Sequence, residues 1–227
     1  MATAARKTNW FAIWISVAVV VVLVGVGAIV VVINNAASGP GTAPQASNVD
    51  QQTGAISFGT GTKTMDTYID FMCPVCKGFE TSYGSSIQGL VDDGTITLNV
   101  HPISILDRQS QGTKYSTRAA SAMYCVAAND PSAAMPFMQA MFAGAPTEGS
   151  TGLTNDEIAA IASQAGASNS SSCITGETYT KFVTSMTPKT PVAPGSSGIG
   201  TPTLAINGQV ISNSTLPQPA QLATLFQ

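Results

Sequence analysis

The chain has 227 residues, of which 44% are hydrophobic and only 9% are charged, and its formal net charge at pH 7 is −3. This length allows one domain with an appendage, or two small domains. The chain has only nine lysine and arginine residues, too few to form the basic surface that nucleic acid requires. We therefore expect no nucleic-acid partner.

The first predicted element is a membrane-spanning helix over residues 10–33. These 24 residues are uncharged and rich in valine, and at about 1.5 Å per residue they can cross a bilayer. Arg6 and Lys7 precede them and the next basic residue is Lys63, so the positive-inside rule predicts a cytoplasmic N-terminus over 1–9 and an exported remainder. The alternative is a cleaved signal peptide, whose apolar core is usually only about 7–15 residues long. We expect a single-pass anchor in the cell membrane.

Residues 34–55 show no apolar periodicity and are rich in Ala, Gly, Ser, Asn and Gln. This composition predicts a flexible linker. The folded domain is then predicted to occupy residues 56–227.

The most informative stretch is a predicted strand over 65–71 that leads into Cys73-Pro74-Val75-Cys76. If a helix begins at Cys73, its unpaired N–H groups and positive dipole end favour the Cys73 thiolate. Pro74 fits this geometry because proline is well accommodated at the first helical position. Cys73 is therefore the predicted nucleophile, and Cys76 is predicted to attack a mixed disulfide formed at Cys73.

The main alternative for a Cys-x-x-Cys pair is half of a zinc site. Such a site needs a second close pair of ligands, but the other two cysteines, Cys125 and Cys173, are 48 positions apart and His101 is the sole histidine. A structural disulfide within the pair closes too tight a loop to stabilise much. We therefore predict no metal, and we interpret His101, with no acid expected beside it, as a packing residue.

The remaining elements predict an α/β fold. A helix over 77–90 and an alternating strand over 95–100 follow the cysteines, which implies parallel strands with a right-handed crossover. Residues 109–187 carry several helical patterns and form a predicted helical insertion. A strand over 203–206 then meets Asn207-Gly208, the strongest signal for a type I′ hairpin turn, and a short helix over 217–226 closes the chain.

In this order, these features resemble the thioredoxin-like fold. More specifically, Cys-Pro-Val-Cys followed about 125 residues later by Gly-Thr-Pro-Thr is similar to the DsbA-like thiol-disulfide oxidoreductases of bacterial cell envelopes, in a membrane-anchored form. The resemblance covers about residues 56–227. It implies that Cys73 and Cys76 are the redox pair and that Pro202 is a cis-proline facing it, with Thr201 before it. The backbone before such a proline is free to pair with an extended substrate.

Two departures from the family pattern stand out. The best-known members have a histidine between the cysteines, where this chain has Pro74-Val75. Relatives also often place a carboxylate six residues before the first cysteine, where this chain has Thr67. Asp66 and Asp70 lie nearby in sequence, and which of them reaches Cys76 is left open.

Cys125 and Cys173 both fall within the helical insertion. We predict a structural disulfide that closes a loop of about 49 residues, and two separate buried thiols are the alternative.

The resemblance implies a membrane-tethered, extracytoplasmic thiol-disulfide oxidoreductase that needs no cofactor and introduces disulfides into exported proteins with cysteines. Its electron partner would be a quinone-linked disulfide oxidase of the membrane. Two alternatives remain at this point. The chemistry could run in the opposite direction, as a reductase or isomerase, or the chain could be a non-catalytic accessory subunit of a membrane protein complex.

Overall fold

The computed structural model describes residues 9–39 and 41–227, which fall into two compact units. The first unit is helix α1, Trp10–Ser38. Its segment Ile13–Val31 is 19 residues long, has a mean hydropathy of 2.9 and is wholly unburied, so it is long and apolar enough to cross a membrane. The predicted cytoplasmic segment lies outside the described residues, except for residue 9.

The second unit is built on a five-stranded mixed sheet in the described part of the chain, with the order β1-β3-β2-β4-β5. Its strands are β1 (Ile56–Phe58), β2 (Lys63–Ile69), β3 (Ile96–Pro102), β4 (Thr203–Ile206) and β5 (Gln209–Ile211). β2 and β3 are parallel and the other neighbouring strands are antiparallel. The central strand β2 therefore pairs with β3, which follows it closely in sequence, and with β4, which comes from the C-terminal part of the domain.

Helix α2, Pro74–Asp92, connects β2 to β3 as the predicted crossover. It packs on the sheet through an apolar face that includes Phe79, Ile87 and Leu90. In β2, Met65, Thr67 and Ile69 are buried and alternate with partly exposed residues. The apolar face of α2 is the one that its helical spacing predicts, and the junction of β2 and α2 carries the two cysteines.

The predicted helical insertion contains α3 (Tyr115–Asn129), α4 (Ala134–Ala143), α5 (Asn155–Gln164), α6 (Ser171–Thr175) and α7 (Thr180–Met186). Most of α3 is buried because its small side chains let neighbouring helices approach closely. A disulfide between Cys125 and Cys173 joins α3 to α6. At the start of α5, Thr154 and Glu157 form the capping box that their spacing predicts.

The C-terminal hairpin has the predicted turn. Asn207 and Gly208 both have positive φ angles, 49° and 79°, as a type I′ turn requires, and they join β4 to β5. The closing segment, Pro219–Phe226, is a 3-10 helix that buries Leu222 and Phe226. The α/β fold class with a helical insertion predicted from the sequence is confirmed.

The predicted flexible linker, residues 34–55, is wrong over most of its length. α1 continues to Ser38, and residues 41–55 pack against the sheet and the helical insertion. Val49 is buried and pairs with Ile56, and the buried Tyr124 hydroxyl donates a hydrogen bond of 2.7 Å to the Gly54 carbonyl. Because Tyr124 lies 70 positions from Gly54, the segment needs no internal periodicity to be ordered.

Candidate active site

Cys73 is the N-cap residue of α2. Its backbone is extended, with φ −75° and ψ 118°, Pro74 follows as the first helical residue, and the Cys76 N–H donates to the Cys73 sulfur at 3.5 Å. β2 ends four residues earlier, at Ile69. The strand therefore delivers the sulfur to the positive end of a helix, where a thiolate is stabilised.

The two thiols have opposite acidities. Hydrogen bonding with the Cys76 thiol, together with the Thr201 hydroxyl and the backbone of Cys76 and Val75, outweighs burial and lowers the pKa of Cys73 to about 6. Burial raises the pKa of Cys76 well above its ordinary value. Cys73 is 6% exposed and Cys76 is 1% exposed. At neutral pH the outer sulfur is thus a thiolate and the inner sulfur a thiol.

Thr201 and Pro202 face this pair from the start of β4. The peptide bond between them is cis, and the Cys73 sulfur lies 3.4 Å from the Thr201 carbonyl oxygen. Antiparallel pairing of β4 with β2, which places Thr203 opposite Tyr68, brings these residues together across 128 positions of sequence.

A shallow groove of about 370 Å³ runs beside the cysteines. Val75, which the sequence places between the cysteines, is 60% exposed at its edge. Most of the groove wall is apolar or aromatic, with residues from α2, the Thr201–Pro202 turn and the segment after β5: Val75, Phe79, Tyr83, Pro202 and Leu216. Nothing in the sequence around Leu216 marks it as part of this groove, because the fold alone brings it there.

The carboxylates of the two acids near the cysteines in sequence both have partners other than Cys76. The Asp66 carboxylate lies 3.1 Å from His101 Nε2, so the expectation that His101 has no acid beside it is wrong. His101 is buried and stacks on Tyr68 with ring centroids 4.0 Å apart, which is a packing arrangement. Asp70 is fully buried, and its carboxylate accepts backbone N–H groups from Met72 at 2.9 Å and Leu106 at 3.0 Å.

The Asp70 backbone contacts both cysteines: the Cys73 N–H donates to its carbonyl at 3.0 Å, and it hydrogen-bonds with the Cys76 thiol. Burial raises the pKa of its carboxyl to about 6, and the negative charge of Cys73 adds to that shift. Thr67, at the position where relatives often carry an acid, is buried and lines a small cavity with Cys76.

Within residues 9–39 and 41–227, no three His, Cys, Asp or Glu side chains gather closely enough to hold a metal ion. Cys73 and Cys76 are unlinked thiols. Because Cys125 and Cys173 are bonded to each other, they cannot supply the second ligand pair that the zinc alternative requires.

Residues 60–223 match the thioredoxin family. The chain belongs to this family. Among solved structures, reduced DsbA from Mycobacterium tuberculosis is 29% identical, with a TM-score of 0.59 over 80% of this chain and 88% of that one. The reduced disulfide bond oxidoreductase DsbG from Mycobacterium tuberculosis is also 29% identical, with a TM-score of 0.60 over 84% of this chain and 89% of that one. The resemblance to DsbA-like proteins predicted from the sequence is confirmed.

One curated relative is a much longer protein. Over 169 residues the chain is 34% identical to serine/threonine-protein kinase PknE of Mycobacterium tuberculosis, a match that covers 72% of this chain and 29% of the kinase. The chain thus spans less than a third of the length of the curated relatives it matches. The similarity concerns one part of PknE, and the kinase activity in its name is not assigned to this chain.

Proposed function

We propose that this chain is a membrane-tethered, extracytoplasmic thiol-disulfide oxidoreductase that introduces disulfides into exported proteins through Cys73-Pro74-Val75-Cys76. One observation carries the proposal: the Cys73 sulfur lies at the start of α2, 3.5 Å from the Cys76 backbone nitrogen and 3.4 Å from the Thr201 carbonyl oxygen, with the buried Cys76 thiol beside it. Membership of the thioredoxin family and likeness to DsbA and DsbG support it.

The reaction starts from the oxidised enzyme, with Cys73 and Cys76 joined. A substrate thiolate attacks the Cys73 sulfur, the bond between the two cysteines breaks, and Cys76 leaves and takes up a proton. A second substrate thiolate then attacks the substrate sulfur of the mixed disulfide and releases Cys73 as a thiolate. The substrate loses two electrons to the enzyme, and a membrane quinone-linked disulfide oxidase would accept them in turn.

Stabilisation of the Cys73 thiolate favours this direction. The thiolate exists only in the reduced enzyme, so each interaction that lowers the pKa of Cys73 also stabilises the reduced form. A couple whose reduced form is stabilised is a stronger oxidant. This argues for an oxidase over the reductase or isomerase alternative.

Substrate would lie extended across the Thr201–Pro202 turn, with an apolar side chain in the groove beside Val75. Extended peptides bind exposed backbone in this way, and neighbouring pockets select their side chains. The groove wall carries no charged side chain, so it suits the apolar segments that an unfolded protein exposes.

Helix α1 would hold the domain at the membrane. Its uncharged span, preceded by Arg6 and Lys7, favours a cytoplasmic N-terminus and an extracytoplasmic domain. Cysteine oxidation on that side of the membrane agrees with this topology, since disulfides form and persist outside the reducing cytoplasm.

Refolding of a reduced, unfolded enzyme that depends on its disulfides tests the proposal. The oxidised full-length chain in detergent should restore activity to that enzyme, whereas Cys73→Ser should not. Cys76→Ser provides the matched control, because it keeps the nucleophile: it should not oxidise the reduced substrate either, but its Cys73 thiolate should attack a substrate that already carries a disulfide, release one substrate thiolate and accumulate as a mixed disulfide. Full activity of Cys73→Ser would contradict the proposal. Equilibration of the Cys73/Cys76 couple against a glutathione series would show a reductase rather than an oxidase if the measured potential is that of a strong reductant.

A further inference from the structure

The turn formed by Thr201 and Pro202 faces Cys73 but lies just outside the sheet. β4 begins one residue later, at Thr203, whose partner in β2 is Tyr68. Pro202 has no N–H group, so it cannot donate a further hydrogen bond to a neighbouring strand. The ladder of backbone hydrogen bonds that orders β4 therefore does not extend to the turn, and another contact must orient it.

The C-terminal hairpin brings Asn213 to this turn. In the register of β4 and β5, Leu204 lies opposite Ile211, so the position opposite Pro202 is Asn213, two residues beyond the end of β5. There the Asn213 side chain donates a hydrogen bond of 2.8 Å from Nδ2 to the Pro202 carbonyl oxygen. In the described part of the chain, no backbone N–H donates to that oxygen. A side chain thus supplies the bond that the ladder does not.

Asn213 is itself held in a defined place. It begins a short 3-10 helix, Asn213–Thr215, and the Leu216 N–H donates to the Asn213 carbonyl at 3.3 Å. Directly afterwards, the Pro217 carbonyl accepts a hydrogen bond of 3.0 Å from the Tyr83 hydroxyl of α2. The segment that carries Asn213 is therefore tied to the helix at whose start the two cysteines lie.

The Asn213 side chain does not contribute to the hydrophobic core. The residue is exposed, and it lies in the wall of the groove beside the cysteines, together with Val75 and Pro202. A hydrogen bond lost at an exposed position is largely replaced by one to water, so it changes folding stability little. The contact between Asn213 and Pro202 therefore bears on the geometry of the site more than on folding.

We propose that Asn213 is a positioning residue of the active site, which binds the Pro202 carbonyl and so holds the Thr201 backbone toward Cys73 for an extended substrate. The inference rests on the proposed function, because it assigns a role within the exchange reaction of that same site.

The carbonyl groups of Thr201 and Pro202 are consecutive in the chain, and this short distance lets one hydrogen bond act on the reaction. The first carbonyl oxygen lies 3.4 Å from the Cys73 sulfur, and the second is bound by Asn213. While that bond is intact, the peptide after the proline cannot rotate freely. A substrate that pairs with the Thr201 backbone then has its thiolate directed at the Cys73 sulfur. No bond to Asn213 forms or breaks during the exchange.

The oxidised full-length chain in detergent, given two different dithiols, tests the inference. One dithiol is an unstructured peptide with two cysteines flanked by apolar residues, and the other is dithiothreitol, which has no peptide backbone. Asn213→Ala should lower kcat/KM for the peptide about three- to tenfold, the effect of one hydrogen bond. It should leave the rate with dithiothreitol unchanged, because that dithiol does not use the Thr201 backbone.

Two further variants sharpen the test. Asn213→Gln keeps the amide on a side chain one carbon longer, so it should recover part of the loss with the peptide. Gln209→Ala removes an exposed amide from β5 of the same hairpin and should change neither rate.

Three results would overturn the inference: peptide kinetics that Asn213→Ala leaves unchanged, an equal loss with both dithiols, or the same peptide kinetics in Asn213→Gln as in Asn213→Ala. Failure of the unmodified chain to oxidise the peptide would instead overturn the proposed function.

Discussion

The acidity of Cys73 is the property on which the proposed chemistry depends, and it can be measured directly. Alkylation of the reduced chain by iodoacetamide should follow a titration curve with its midpoint near pH 6, the pKa that the site gives Cys73. Cys76 should stay silent below about pH 9, since burial raises its pKa. Mass spectrometry of the labelled peptides assigns the reaction to one cysteine.

The midpoint is a better test than the rate. At pH 7, a pKa of about 6 makes about nine-tenths of Cys73 thiolate, against about 3% for an ordinary cysteine, a gain of about 30-fold. A less basic thiolate is also less nucleophilic, which removes about tenfold of that gain. The net rate should thus exceed that of an ordinary thiol only about threefold, whereas the midpoint moves by more than two pH units.

Two variants identify the cause of this acidity. Cys76→Ala removes the largest stabilising interaction and should raise the midpoint substantially, and Thr201→Val removes a hydroxyl and should raise it less. Cys73→Ser should abolish the signal below pH 9. A midpoint at or above pH 8 in the unmodified chain, or one that Cys76→Ala leaves in place, would refute the explanation given for the site.

Three further outcomes follow from the structure. Replacing both Cys125 and Cys173 by alanine should lower the free energy of unfolding by about 4 kcal/mol in urea melts, from the entropy of a loop with separation 48, and should leave the Cys73 titration unchanged. Val75→Ser should raise the KM for an apolar cysteine peptide about fivefold, through lost apolar contact in the groove, again without moving the Cys73 midpoint. Cys73 in the folded, reduced chain has a pKa below its unfolded value. The free energy of unfolding of the reduced form, relative to that of the oxidised form, should therefore increase from pH 6 to 8, and this gain should be lost below pH 6. A difference between the urea midpoints of the two forms that does not change with pH would contradict this.

The sequence predicted the parts of the fold whose signals are local. The alternation in β3, the helical face of α2 and Asn207-Gly208 each specify their own element through nearby residues. Cys73-Pro74-Val75-Cys76 likewise indicates a helix start with a thiol at its N-cap, but the expectation that this thiol is exposed is wrong, since Cys73 is buried. The approach of Thr201 to Cys73 is different: it came from a resemblance to a family, since nothing local in the sequence places the two 3.4 Å apart.

What the sequence could not predict depends on contacts between distant residues. Whether Asp66 or Asp70 reaches Cys76 depended on which neighbours each acid finds, and one lies with His101 while the other accepts backbone N–H groups.

The ordered packing of residues 41–55 also determines where the soluble part of the protein can be cut. A version that starts at residue 56 would lose the Gly54 carbonyl and leave the buried Tyr124 hydroxyl without its acceptor, which costs about 1–3 kcal/mol. The same cut would remove the Thr53 carbonyl that lies 3.3 Å from His101 Nδ1. Anyone trimming away the membrane helix should therefore begin the shortened chain no later than residue 41.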